Sequence, residues 1–392
     1  MTKALIILLG LLSALDALSI DAYIPAMPSI ESSLHAGPGS VQVTLSVFMI
    51  GLGIGQGLWG PILDWAGRRK PLLVGMLIYI MGSALATVAT SVEGLMLARF
   101  IQAVGGAAGL VAPRAVLADL CQGQQAARLF TLMMQLTLVG AICAPLMGGL
   151  ILSFASWRWI FSALTIIGLF GFVWSWVSLP ESQPPASRIR LRLAPIVQGY
   201  SHLLKRPRFS LYLLAGTLAM ASFFTYLGDA AFVFISEYHL SQTTFTLFFT
   251  LNTCCLLMGG VVNNRLLKHG QSAATISVYA LSLQVLLAAL LVMVVTCFHQ
   301  VSLAAYLILL PLIIAVQGSI SGNLAALTMN EGRHQKGVAS SLMGMLQYLV
   351  AGAIGYLAAW ALPVILQIPV VITLTTLLAL GLLITAARCP MD

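Results

Sequence analysis

Asp16, Asp21, Arg99 and Asp229 are charged residues that fall inside long apolar runs of this 392-residue chain. An ionised side chain at mid-bilayer costs roughly 2.5–3.5 kcal/mol on insertion scales, so each needs a partner, a watery cavity or a proton. A carboxylate in a low dielectric holds its proton more tightly, and a nearby cation loosens it again. Acids so placed are suited to taking up and releasing H⁺. Asp21 stands near the outer end of the first run; Arg99 stands about five residues in from the outer end of the fourth, roughly 8 Å at helical rise. Their similar depths make a pair that can meet, directly or through water, in one conformation and part in another, with Arg99 tuning Asp21. The competing reading is a permanent ion pair that only holds helices together. Asp229 has comparable depth in the second half of the chain. It reads as a second proton site or a substrate contact, against a residue snorkelling to the outer interface. Asp16 precedes Asp21 by about 140° around a helix and reads as a polar contact between helices.

The elements that must carry these residues are membrane spans. Hydrophobic residues make up 59% of the chain and charged residues 8%, and a span needs about 20 apolar residues. Twelve stretches qualify, at 4–24, 41–62, 71–91, 94–117, 130–152, 158–179, 209–235, 245–266, 273–296, 302–323, 338–360 and 364–386. Each is expected to be helical, since an open strand leaves backbone groups unsatisfied in hydrocarbon. Of the 19 Lys and Arg, 17 fall at one set of ends, all but Arg99 and Arg158. The positive-inside bias then puts both termini in the cytoplasm. The net charge of +8 is a topology signal, with no basic face for a nucleic-acid partner. The six cysteines lack zinc-like spacing and the six histidines fall in or beside loops, so neither a metal site nor an intramembrane histidine relay is expected. No P-loop pattern occurs, and no catalytic constellation or cofactor site is expected.

The longest polar connection runs from Pro180 to Pro207 and carries the basic run SRIRLRL at 187–193. It divides residues 1–180 from 208–392, six spans from six, with 181–207 as a basic cytoplasmic linker. At an offset of 208, Asp21 maps onto Asp229 and Arg128 onto Lys336. Parallel six-span repeats are a layout of secondary transporters, with substrate held between the halves near mid-membrane. The expected fold is thus an all-α membrane protein of twelve transmembrane helices in two pseudo-symmetric six-helix halves.

Between spans 2 and 3 the sequence reads GPILDWAGRRKP, residues 60–71. It resembles the loop motif of the major facilitator superfamily, with Gly60, Asp64, Gly67, Arg68 and Arg69 at its fixed positions and Trp65 where Arg or Lys is commoner. RFIQAVGGAAG at 99–109 resembles the span 4 motif R-x-x-Q-G-x-G, with Ala103 for the first Gly. GAICAPLMGG at 140–149 resembles the span 5 motif of proton-driven exporters, with Gly140, Pro145, Gly148 and Gly149 in place and Ala144 before the proline. LDALSIDAYIPAMPSI at 15–30, WRWIF at 157–161, LPES at 179–182, and Tyr226 followed by FVF at 232–234 resemble the bicyclomycin and chloramphenicol resistance branch (Bcr/CflA). That branch implies a drug:proton antiporter of the bacterial inner membrane, and the superfamily norm is a monomer. The superfamily also implies that Asp119, ending span 4, pairs with Arg68 or Arg69 as a cytoplasmic latch in the outward-facing state; a surface ion pair worth under about 1 kcal/mol is the bland alternative. The glycines around Pro145 are expected to let helices of the two halves pack closely and restrict leak. One departure stands out. Gly228, Asp229, Ala230 and Ala231 replace a Ser-Gly-Ser-Pro-like step, losing a proline kink and gaining a carboxylate.

Neutral polar residues within spans, Gln42, Ser46, Gln56, Gln135, Asn252, Gln317 and Gln347, are candidates to line a cavity, with helix packing as their alternative role. Tyr23, Tyr226 and Phe232 offer flat or cation–π surfaces to a drug-like molecule. Together these residues read as a proton-coupled antiporter that exports a small amphipathic molecule. Asp21 leads the coupling, and Asp21, Tyr23, Tyr226, Asp229, Phe232, Asn252 and Gln347 are the substrate-site candidates. Export of a dedicated metabolite (siderophore, nucleoside or amino acid) and a transporter-like membrane sensor are the alternatives.

Overall fold

Long apolar runs studded with proline and glycine have one stable form in hydrocarbon, a helix whose backbone bonds to itself. A computed structural model describes residues 3–37, 39–121, 123–184, 193–298, 302–332 and 335–389. Among the described residues there are fourteen α-helices and no strand. Twelve helical segments are long and apolar enough to cross a membrane. Their outward faces carry large apolar side chains left open, among them Phe154, Val177, Leu150 and Trp360. In a soluble protein so wide an apolar surface is an association liability; here it is the face for lipid. Arg188, Arg190, Arg192 and Arg333 lie outside the described residues, as do the side chains of Arg128 and Lys336.

The chain forms two units, Met1–Leu193 and Ala194–Asp392. In the first, α1 (Lys3–Asp21) stops where Pro25 and Pro28 follow, turns through a short 3₁₀ segment at Ile24–Ala26 and resumes as α2 (Met27–Ser33). The first span therefore reaches Ser33, well past the expected residue 24. Proline fixes its own φ and lacks an N–H, so it breaks the ladder without ending the helical course. Then come α3 (Ser40–Ala66), α4 (Arg69–Thr87), α5 (Val92–Leu120), α6 (Gly123–Phe154) and α7 (Arg158–Ser178). At the seam of α4 and α5 a Cβ on Gly105 would run into the Tyr79 backbone. Such close approach through small residues replaces the hydrophobic drive that helices lack in lipid.

The second unit contains α8 (Leu193–Leu204), α9 (Pro207–Ala231), α10 (Gln242–Lys268), α11 (Ala273–Cys297), α12 (Ser302–Glu331), α13 (Lys336–Ala361) and α14 (Val364–Arg388). A π-helical turn, Phe232–Glu237, continues α9; such turns widen the helix and concentrate at functional sites. Here Gly259 packs so tightly on Ala315 that a Cβ would strike its carbonyl. Polar bonds pin the same region. Asn263 and Asn323 exchange amide hydrogen bonds at 3.2 and 2.7 Å, and Gln317 joins Gln284 at 3.0 Å and the Ala219 carbonyl at 2.8 Å. Gln317 thus spends its amide on packing.

Candidate functional site

Gly67 closes α3 with φ +92°, a backbone region that only glycine enters without strain. That turn brings Arg68 back over the end of α3. Arg68 Nε donates to Asp119 Oδ2 at 2.8 Å and its Nη1 donates to Asp64 Oδ1 at 2.7 Å, joining the ends of α3, α4 and α5. Burial pulls the guanidinium toward losing its proton, but the bonds and charges of Asp119 and Asp64 outweigh this and raise it above its ordinary range. Of the two basic candidates it is Arg68 that takes Asp119, while Arg69 Nη2 donates to the Trp176 carbonyl. Gly60 is half-buried within α3, one turn before Asp64.

The segment after α7 completes this cluster, a role its LPES motif did not reveal. Glu181 Oε1 accepts the Arg68 backbone N–H at 2.8 Å, and Oε2 accepts that of Arg69 at 3.4 Å. The carboxylate thereby caps the start of α4, where unpaired N–H groups and the helix dipole favour an anion. Ser182 Oγ donates to Asp119 Oδ2 at 3.0 Å, and Gln183 Nε2 to the Asp64 carbonyl at 3.2 Å.

Arg99 is wholly buried. Its Nη1 donates to the Ser19 carbonyl at 3.0 Å and to Gln102 Oε1 at 2.7 Å. From Gln102 the bonding continues to Ser83 Oγ at 2.8 Å, and Ser19 Oγ meets the Tyr79 hydroxyl at 2.8 Å. Nε and Nη2 of Arg99 have no partner. Aromatic faces surround the guanidinium instead, with Phe48 at 3.9 Å, Tyr23 at 4.6 Å and Phe161 at 5.7 Å to ring centres. Tyr23 is fixed in turn by a 2.6 Å bond to Thr44 Oγ1. Gln102 sits one helical turn past Arg99 in the R-x-x-Q motif, a spacing that puts both on one face; Phe161 closes the WRWIF motif, and Phe48 carried no sequence signal.

Asp21 ends α1 and is half-buried. The ion pairs among the described residues join Arg68 to Asp64 and Asp119, and Arg208 to Glu331. Asp21 and Arg99 therefore lie in one unit, with the Ser19 carbonyl bonded to the guanidinium and no ion pair joining the two.

Asp229 occupies the last turn of α9, buried, with Oδ2 lacking a hydrogen-bond partner. Tyr226 lies on the same helix face, accepts a 3.1 Å bond from Asn252 Nδ2 and stacks on Phe249 at 5.6 Å and 13°. Phe232 is buried in the π-helical turn. Beyond it Phe234 meets Tyr306 edge-on at 5.7 Å, and Tyr306 lies close enough to Asp229 to feel its charge. Gln347 is half-buried on α13, and Gln135 is exposed on α6.

In α6, Gly140 and Gly148 face α1. A Cβ on Gly140 would come 2.8 Å from that of Ala14, and one on Gly148 would strike the Ala22 carbonyl. The tight contacts of these two glycines thus lie within the first unit, beside the helix that ends in Asp21. Pro145 is buried and Gly149 half-buried in the same helix.

A family model described as Major Facilitator Superfamily matches residues 9–356. An uncharacterized MFS-type transporter of Bacillus subtilis, YdgK, is 32% identical over 90% of this chain and 87% of that protein. A bicyclomycin resistance protein homolog of Haemophilus influenzae is 28% identical over 91% and 89%. Among solved structures, a D-xylose-proton symporter superposes with a TM-score of 0.69 at 16% identity over 96% of this chain and 95% of that one, a likeness of fold.

Proposed function

The chain belongs to the major facilitator superfamily, in its bicyclomycin and chloramphenicol resistance branch, and from that premise we propose that it is a proton-coupled antiporter exporting a small amphipathic, drug-like molecule. It is a multi-pass membrane transporter and not an enzyme. The resistance named for its relatives supports drug export from a bacterial inner membrane. The observation that carries the coupling is a pair of carboxylates in membrane spans, Asp21 and Asp229, neither in an ion pair among the described residues. Arg99 stands in the same unit as Asp21 with two donor nitrogens unused.

In this reading Asp21 carries the proton and Arg99 approaches it in one state of the alternating-access cycle. Asp229 serves as a second carrier or a substrate contact, with Tyr23, Tyr226, Phe232, Asn252 and Gln347 as further contacts. The membrane potential adds about 2.3 kcal/mol per charge per 100 mV. The Arg68–Asp119 cluster is the cytoplasmic latch of the outward-facing state, with both termini on that side and the protein acting as a monomer. Gly140, Pro145, Gly148 and Gly149 set the closeness of α6 to its neighbours.

The test is chloramphenicol flux in proteoliposomes, with the proton gradient intact and collapsed. Uphill flux should vanish on collapse and in the Asp21→Asn, Asp229→Asn double variant. Undiminished accumulation by that variant sinks the coupling. Export of a dedicated metabolite is the second reading, favoured by the buried Asp229 where the branch has a proline step; a competition screen of metabolites against drugs separates the two.

A further inference from the structure

We propose that the second unit carries a binding subsite for an aromatic organic monocation, centred on Asp229 and walled by the stacked rings of Tyr226 and Phe249. The proposal rests on the export reading above and names the class of cargo. Two acceptor atoms in this region are buried without a donor, Asp229 Oδ2 and Asn252 Oδ1. Tyr226 ties them together: it precedes Asp229 by one helical turn on the same face of α9 and accepts the Asn252 amide N–H at 3.1 Å. Asn252 thus commits a donor to the tyrosine and leaves its oxygen unused. Tyr306, the ring near Asp229, commits its hydroxyl proton to the Ile365 carbonyl. The site therefore offers acceptors and ring faces, and a ligand must bring the positive charge.

A metal ion fits poorly. Hard cations take six to eight oxygen ligands, and among the described residues no group of three or more His, Cys, Asp or Glu could hold one. An organic cation needs few hydrogen bonds and gains from ring faces, the more so when desolvated. The first unit shows that this chain can hold such a charge: the Arg99 guanidinium lies 3.9 Å from the Phe48 centroid and 4.6 Å from that of Tyr23. There the cation is the protein's own. Around Asp229 the described residues supply rings and a carboxylate, and no ion pair.

The experiment measures equilibrium binding of ethidium, a planar aromatic monocation, and of neutral phenanthridine to the full chain in nanodiscs. Wild type should bind ethidium, and Asp229→Asn should weaken it about thirtyfold or more while changing phenanthridine binding by no more than about twofold. Asp229→Glu should restore part of the loss, and Phe249→Ala should weaken both compounds. The proposal is overturned if wild type does not bind ethidium, if Asp229→Asn binds it as well as wild type, or if that variant loses both compounds equally. Proton-driven chloramphenicol flux, measured with the same protein reconstituted in proteoliposomes, reads the export hypothesis separately, so its failure leaves Asp229-dependent ethidium binding standing.

Discussion

Arg99 holds its guanidinium 3.9 Å from the centre of the Phe48 ring, in a pocket where its hydrogen bonds go to neutral oxygens of Ser19 and Gln102. A buried charge bonded this way stabilises a fold weakly, because its desolvation exceeds what two neutral bonds and ring faces return. It is the kind of cost retained for function.

Arg99→Met, similar in length and apolar, is therefore expected to leave stability unchanged or raise it by about 1–4 kcal/mol, while proton-driven flux is lost. Arg99→Lys is expected to lower both, since an ammonium keeps the charge and forfeits the planar contact. Thermal unfolding in detergent and driven flux are the measurements. Marked destabilisation of Arg99→Met would make the guanidinium a structural pin.

Arg68 answers differently to pH. Its pKa is raised, so its contribution is complete below the ordinary arginine range and is lost only as pH climbs past the elevated value. Between about pH 6 and pH 9 the stability difference between wild type and Arg68→Gln should stay constant within about 0.5 kcal/mol. Unfolding curves at intervals across that range test it. A difference that shrinks toward pH 9 means that another group carries the contact.

Glu181 caps α4 through two backbone N–H groups. Glu181→Ala should cost about 0.5–2 kcal/mol. Glu181→Gln should cost less, because the amide oxygen still accepts while the favourable charge on the helix dipole is gone. The stability order Glu, Gln, Ala is the expected result. Equal stability of all three removes the capping role, and with it the reason for this segment to meet Asp119.

The span count follows from apolar length, since backbone groups in hydrocarbon have no alternative to the helix. The ends of the first span were not legible: Pro25 and Pro28 signal a break, whereas the chain turns briefly and runs on to Ser33. The pairing of Asp119 with Arg68 or Arg69 was what the resemblance to the superfamily loop motif implied, but the choice of Arg68 over Arg69 depends on the direction in which Gly67 turns the chain. Of the rings around Arg99, Tyr23 was read as a cation–π surface and Phe161 lay in the WRWIF motif, but their meeting on this guanidinium was not legible, and Phe48 looks like any lipid-facing aromatic until helix rotation aims it inward. Helix rotation also turns Gly140 and Gly148 toward α1, and no pattern of glycines alone says which neighbour they meet.

Gly140 and Gly148 give the sharpest mutational contrast. A methyl at 140 meets a side-chain carbon, the Cβ of Ala14 at 2.8 Å, whereas a methyl at 148 meets the main-chain carbonyl of Ala22. Side chains can be trimmed and backbones cannot. Gly148→Ala should therefore cost about 1–3 kcal/mol, push α1 away from α6 and displace Asp21, the residue before Ala22, so that driven flux falls with stability. Gly140→Ala should cost less, and Ala14→Gly should restore it by removing the opposing methyl. No single trimming on α1 is expected to rescue Gly148→Ala. Unfolding temperatures of the two singles and the Gly140→Ala, Ala14→Gly double, read beside flux, decide the matter. If Gly148→Ala proves as mild as Gly140→Ala, α1 and α6 are not locked at this crossing, and Asp21 is held by something other than that contact.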